Sequence, residues 1–154
     1  MSTTTNLSID LLNSSDYVSV DPINNAIEKL DVLGADYIVE SGTSGEWWFR
    51  KWKSGRAECG VDCKNFGTVS YKTAWGGLYR SDSNYSFGAY PFAFAERPYV
   101  SVTFLSSDSS KQASFTVLQS AKDTASAPKF FFVDPYAETA NNVCFGISVK
   151  GTWK

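Results

Sequence analysis

Histidine is absent from this sequence of 154 residues. That removes the commonest general base near neutral pH. Ser-His-Asp and Cys-His arrangements are therefore excluded, while a glycosidase-type carboxylate pair remains possible. Charge is scarce too: charged residues make up 19% and the formal net charge is -2, with no basic stripe of the kind a nucleic-acid binder carries. Nor is there a polybasic run to hold an anionic membrane. No apolar run approaches the roughly 20 residues needed to span a bilayer, so neither nucleic acid nor membrane insertion is expected.

Cysteine is sparse and odd in number: Cys59, Cys63 and Cys144. A disulfide framework normally shows a denser, even set. A zinc site would lack its fourth ligand in a chain without histidine. The expectation is three reduced, buried or half-buried thiols and no metal. Trp75-Gly76-Gly77-Leu78 and Ser41-Gly42-Thr43-Ser44-Gly45 lack the spacing of a phosphate loop and read as turns, so no cofactor is expected. Met1 to Leu12 is Ser/Thr-rich, without the basic start and apolar stretch of a signal peptide. The corresponding expectation is a chain folded in a cytoplasm or exported on a larger particle.

What the sequence does have is apolar and aromatic. Hydrophobic residues make up 43% and aromatics 16%, enough for the core of one ordinary domain. Three segments are expected: residues 1–20 as a flexible leader or junction, 21–34 as a neck helix, and 35–154 as a β-rich domain. The helix signal is Asp21 as N-cap with Pro22 at the first helical position. Ile23, Ala26, Ile27, Leu30 and Leu33 then share one face before Gly34. Three turns are too short to be stable alone, so that face must pack. Either the domain behind it or the same helix in neighbouring subunits would serve, with Ile23, Ile27 and Leu30 as the seam of a trimer.

Beyond residue 35 the period changes to two. Tyr37-Ile38-Val39 is β-rich, and Gly42 to Gly45 reads as a turn. Glu46 to Lys53 alternates, with Trp47, Phe49 and Lys51 on one face and Trp48, Arg50 and Trp52 on the other. A turn at Ser54-Gly55 and a strand over Arg56 to Val61 complete a hairpin. Further strands are expected at 67–71, 99–105, 113–118, 129–133 and 143–153. The whole is expected to be mainly β: an antiparallel β-sandwich or barrel-like domain with a short N-terminal amphipathic helix. Thr73 to Pro98, rich in Gly, Tyr, Phe, Ser and Asn, reads as a long ordered excursion, where binding loops tend to sit.

The aromatic cluster dominates the functional reading. Trp47, Trp48, Trp52, Trp75, Tyr79, Tyr85, Phe87, Tyr90, Phe92 and Phe94 crowd one stretch of the chain. Aromatic faces stack on the apolar faces of sugar rings, and Tyr and Trp add a polar handle. Core or subunit-interface packing would use the same residues, and for Trp47, Trp48 and Trp52 it is the favoured reading. Trp75, Tyr79, Arg80, Asp82, Asn84 and Tyr85 form the candidate ligand-binding surface, because they lie in the weakly periodic stretch with polar residues interleaved. Lys51, Lys53, Arg56 and Lys64 give a local basic bias that would suit an anionic wall polymer, or simply protect strand edges. Among Glu40, Glu46, Glu58, Asp62, Asp82, Glu96, Asp134 and Glu138 no catalytic pair stands out, and solvated surface charge is the expectation.

One stretch also resembles a known group. Asp36-Tyr37-Ile38-Val39-Glu40-Ser41-Gly42-Thr43-Ser44-Gly45, Trp47, Arg50-Lys51-Trp52 and Ser54-Gly55-Arg56-Ala57-Glu58-Cys59 are similar to a motif of phage and prophage tail-fibre or minor structural proteins. Asp21 to Leu30 resembles their short helical neck; Tyr90-Pro91-Phe92-Ala93-Phe94 with Pro98, and Ile147 to Lys154, are more loosely similar. The resemblance implies a non-enzymatic virion component in the phage tail, assembled in the host cytoplasm beside other virion tail proteins. It further implies a homotrimeric β-rich tip for host recognition. The sequence departs at Gly60, where the group often has Trp, and at Lys150-Gly151-Thr152. No ligand site is carried over. The expected function is a receptor-binding domain for a host-surface glycan or wall polymer. The alternatives are a structural capsid or tail decoration with no host ligand and, behind it, a cell-wall glycan hydrolase.

Overall fold

Residues 23–27, 36–109, 115–118 and 123–154 are described in the computed structural model. The chain divides into two units, Met1–Tyr37 and Ile38–Lys154. In the first, residues 23–27 are helical, with Ile23 exposed and Ile27 half-buried. The expected cap at Asp21-Pro22, the seam residue Leu30, the stop at Gly34 and the 1–20 leader lie outside the described residues.

The second unit is mainly β. Its strands are β1 (Ile38–Ser44), β2 (Trp47–Trp52), β3 (Arg56–Asn65), β4 (Val69–Trp75), β5 (Leu78–Ser81), β6 (Tyr99–Ser106), β7 (Phe115–Leu118), β8 (Phe130–Asp134), β9 (Glu138–Ala140) and β10 (Cys144–Thr152). Two five-stranded sheets result, ordered β1-β2-β3-β10-β6 and β7-β8-β5-β4-β9. Every ladder in them is antiparallel.

Alternation decides what each sheet buries. In the first sheet Trp47, Ala57, Cys59, Val61, Phe145, Ile147 and Val149 face inward; in the second Val69, Tyr71, Phe130 and Phe132 do so, and all belong to one core. The sheets meet where Phe132 of β8 stacks on Phe145 of β10, ring centroids 4.5 Å apart. Phe66, between β3 and β4, sets its ring edge-on against Tyr85, Phe87, Phe130 and Phe132. Offset and edge-to-face pairs of this kind are favoured by the ring quadrupole beyond the area they bury.

Two tight turns follow the residue chemistry. Gly76 and Gly77 both have positive φ, 58° and 86°, as a two-residue type I′ hairpin turn requires. They join β4 to β5, so the first part of the expected 73–98 excursion is a hairpin. The expectation missed it because a bulge at Lys72 shifts the pairing between Tyr71↔Ser81 and Thr73↔Arg80 and breaks the period of two. The turn expected over Gly42 to Gly45 is shorter than read. β1 runs through Ser44, and the chain reverses at Gly45-Glu46 with Ser44 opposite Trp47.

The remainder of that stretch, 82–98, is irregular but held by backbone bonds. Tyr85 and Phe130 exchange both of theirs, at 2.7 and 3.0 Å, and Tyr90 N–H donates to the Ala125 carbonyl at 2.9 Å. Phe94 N–H reaches Thr124 at 2.8 Å, and Ala95 N–H reaches Thr152 at 2.8 Å. Its aromatics turn inward: Phe87, Tyr90 and Phe94 are buried, with Trp47 edge-on to Phe87 and Tyr90. Burial drives the Tyr90 phenol far above its ordinary pKa.

Ser81 is a buried polar link in the second sheet. Its hydroxyl accepts from Phe132 N–H at 3.1 Å and donates to the Ser83 carbonyl at 2.8 Å. Ser81→Ala leaves a buried N–H without that acceptor, so urea unfolding is expected to show a loss of about 1–3 kcal/mol. An unchanged midpoint would mean that the hydroxyl is dispensable.

Candidate functional site

The outer face of the first sheet carries the side chains that alternation turns away from the core. On β2 these are Trp48, Arg50 and Trp52; on β3, Arg56, Glu58, Gly60 and Asp62; on β10, Ser148 and Lys150. Of the three tryptophans expected to pack in the core or in a subunit interface, Trp47 is buried in the core. Trp48 and Trp52 are half-buried on the opposite face and are not core residues.

Trp48 lies flat across Gly60. A Cβ at that position would sit 2.6 Å from the indole Cζ2 and 2.7 Å from the Ile147 carbonyl oxygen. The absence of a side chain here is what lets the ring lie down. Its Nε1–H donates to Asp62 Oδ1 at 2.8 Å, fixing the ring plane. The Arg50 guanidinium sits 5.8 Å from the same ring and 3.5 Å from Glu58. Such an exposed ion pair orients side chains more than it stabilises the fold.

Beside this ladder lies a groove of about 310 Å³, lined by Trp52, Arg56, Ala57, Glu58, Lys150, Gly151 and Thr152. Register builds it: Glu58 faces Lys150, Ala57 faces Gly151 and Arg56 faces Thr152. The Arg56 guanidinium lies 5.8 Å from the Trp52 ring. Gly151 is required by close approach, since a Cβ would meet Phe94 Cδ1 at 2.9 Å. The turn end is clamped from behind, with Trp153 Nε1–H donating to the Trp52 carbonyl at 3.1 Å and Trp153 N–H to Gly55 at 2.9 Å. Among the described residues neither Arg56 nor Lys150 forms an ion pair. The groove thus presents two cations, one carboxylate already shared with Arg50, and the Trp52 indole.

The residues expected to bind are distributed over two faces of the second sheet. Trp75 and Arg80 come together on its outer face, both against Phe131. The Trp75 ring is edge-on at 5.4 Å, and the Arg80 guanidinium is 5.4 Å from the Phe131 centroid. Asp82 is exposed and accepts from Thr73 Oγ1 at 2.7 Å. Hydrogen bonds from Thr73 and then Ser70 hold its carboxyl below the ordinary carboxylate range. Asn84 is exposed. Tyr79 and Tyr85, by contrast, pack against the core, Tyr85 tilted on Phe132 at 4.6 Å with burial raising its phenol pKa.

The basic bias read from the sequence is partly neutralised: Lys51 pairs with Glu40 at 2.8 Å and Lys64 with Glu46 at 2.6 Å. Asp134, expected as solvated surface charge, is fully buried, with Oδ1 accepting from Tyr136 N–H at 2.9 Å. No group of three or more His, Cys, Asp or Glu able to hold a metal ion occurs among the described residues, and no helix among them is long and apolar enough to cross a membrane.

Nothing in the local sequence groups Trp52, Arg56 and Glu58 with Lys150, which lies far away in the chain. The outward phase of Trp48, Arg50 and Trp52 was the available signal. Comparison with family models, curated proteins and solved structures returns no match.

Proposed function

We propose that this chain is a non-enzymatic receptor-binding domain of a phage tail fibre, recognising a host-surface glycan or wall polymer, and that it works as a homotrimer. The observation that carries the binding reading is the groove at Trp52, Arg56, Glu58 and Lys150. Its volume falls at the small end of ligand sites, which run from about 300 to 1,000 Å³. An indole offers a stacking face for a sugar ring. Two unneutralised cations beside it favour a repeat unit bearing an anionic group, such as the phosphate of a wall polymer.

The non-enzymatic part is supported by chemistry. The chain has no histidine, and three of its candidate carboxylates, Glu40, Glu46 and Glu58, are committed to lysine or arginine partners. The tail-fibre part is supported by the resemblance centred on residues 36–59.

The deciding experiment presents the purified chain with host wall fragments, a glycerol-phosphate polymer and a neutral glycan array. Binding that weakens as salt rises is the expected result, because exposed charges are screened. Absence of binding to all three would overturn the adhesion reading. Light scattering that returns a monomer mass at micromolar concentration would overturn the trimer.

A further inference from the structure

Two of the three thiols stand next to each other at the end of the first sheet away from the groove. β3 and β10 pair there with Cys144 opposite Asn65 and Phe145 opposite Lys64, but the register slips before Ile147 meets Val61. The slip is a bulge on β3: Asp62 and Cys63 together face Gly146. A Cβ on Gly146 would lie 2.8 Å from the Asp62 carbonyl oxygen, so the backbones close up at this point. Bulges re-aim the side chain that follows them. Here Cys63 lies two residues from Asn65, the partner of Cys144, which makes the two cysteines diagonal neighbours on paired strands, with each thiol felt by the other. Cys63 is exposed and Cys144 half-buried, while Cys59 is fully buried on the core face.

We propose that Cys63 and Cys144 form an oxidation-dependent cross-link, closed by a small-molecule disulfide such as oxidised glutathione. The exposed Cys63, once deprotonated, attacks one sulfur of the oxidant. The oxidant's S–S bond breaks and one glutathione thiolate leaves. Cys144, deprotonated in turn, attacks Cys63 Sγ of the mixed disulfide and expels the second glutathione thiolate. The two protons lost by the cysteines end on the two glutathione thiols. The protein loses two electrons, and the oxidant gains them.

Cys59 is left out of this chemistry. Burial and the neighbouring Glu58 carboxylate push its pKa up to about 12, so it remains protonated. The hydrogen bond to Cys144 and slight burial also hold the Cys63 thiol above its ordinary pKa. Closure is therefore slow near neutral pH and accelerates as the solution becomes alkaline, where the thiolate is populated.

The cross-link would do more than tie two strands already paired. It closes a loop of about 80 residues that contains β4 to β9, and the entropy removed from the unfolded chain grows with loop length. The inference does not depend on the adhesion reading. A domain folded under reducing conditions and used under oxidising ones would gain this staple on the way out.

The test treats the whole chain with oxidised glutathione at mildly alkaline pH. Intact mass is expected to fall by two hydrogens, a non-reducing digest to contain one linked peptide joining Cys63 to Cys144, and Cys59 to remain titratable after unfolding. The thermal midpoint is expected to rise by roughly 10 °C, with reversal by a reductant. Cys63→Ser, at an exposed position, and Cys144→Ser, at a half-buried one, should show neither change. Stable glutathione adducts without closure, or disulfide-linked dimers in place of the internal link, would overturn the proposal. Closure with an unchanged or lowered midpoint would overturn its stabilising role.

Discussion

Phe132→Ala is expected to cost the β unit about 3–5 kcal/mol, the range for removing a fully buried phenylalanine ring. Phe132 has no exposed surface, and its ring meets neighbours from both sheets and from the irregular segment: Phe145 at 4.5 Å, Tyr85 at 4.6 Å, Phe130 at 5.3 Å and Phe66 at 5.4 Å. None of these rings can refill the space without giving up its own edge-to-face partners. Domains of this size are stable by only about 5–15 kcal/mol, so the loss is a large share of the total. A urea titration reads it as a lower midpoint at constant slope. Tyr99→Ala, on an edge strand with 71% of the residue exposed, is the control and should stay within about 0.5 kcal/mol. A Phe132 effect under 1 kcal/mol would contradict a core shared by the two sheets.

The second large effect concerns binding. Trp52→Ala combined with Lys150→Glu is expected to weaken binding of a wall polymer by at least about 10-fold and up to about 100-fold. The first change removes the stacking face; the second reverses one of the two unneutralised charges. The fold should tolerate both. The backbone bonds that position the groove use the Trp52 carbonyl rather than its ring, and Lys150 is exposed. An unchanged thermal midpoint verifies this, and affinity measured by titration with the polymer gives the result. Trp75→Ala serves as comparator, since Trp75 meets Phe131 on the outer face of the other sheet. If Trp75→Ala weakens binding and the Trp52/Lys150 pair does not, the ligand surface is the Trp75–Arg80–Asp82 face.

These two outcomes also mark what could be read from residues alone. The period of two over Glu46–Lys53 and Tyr99–Leu105 indicated strands, and strands lie there. The phase of that period was harder to interpret. On β2 both faces carry aromatics, Trp47 and Phe49 against Trp48 and Trp52, and a lysine sits on the inner one. Lys51 manages this by laying its ammonium near the rings of Phe92 at 4.8 Å and Trp153 at 5.3 Å while pairing with Glu40. β5 leaves a weak mark in the sequence because the Lys72 bulge breaks the alternation leading into it. β9 is three residues long and β-poor in sequence. The groove was illegible for a different reason. Trp52 and Lys150 meet only because β10 inserts between β3 and β6, and that strand order leaves no mark on local sequence. In Tyr79 and Tyr85, expected at a ligand surface, the aromatic ring was the true signal, but the core took it.

That insertion of β10 also governs when the molecule can be completed during synthesis. β1, β2 and β3 can pair as a meander as soon as they emerge. β3 and β6, however, are joined only by β10, which is made after every strand of the second sheet. Until then both carry an open edge, the condition in which nascent chains pair wrongly with one another. The last nine-residue strand is thus the keystone of the first sheet, and a ribosome that stalls before Cys144 leaves two unmatched halves.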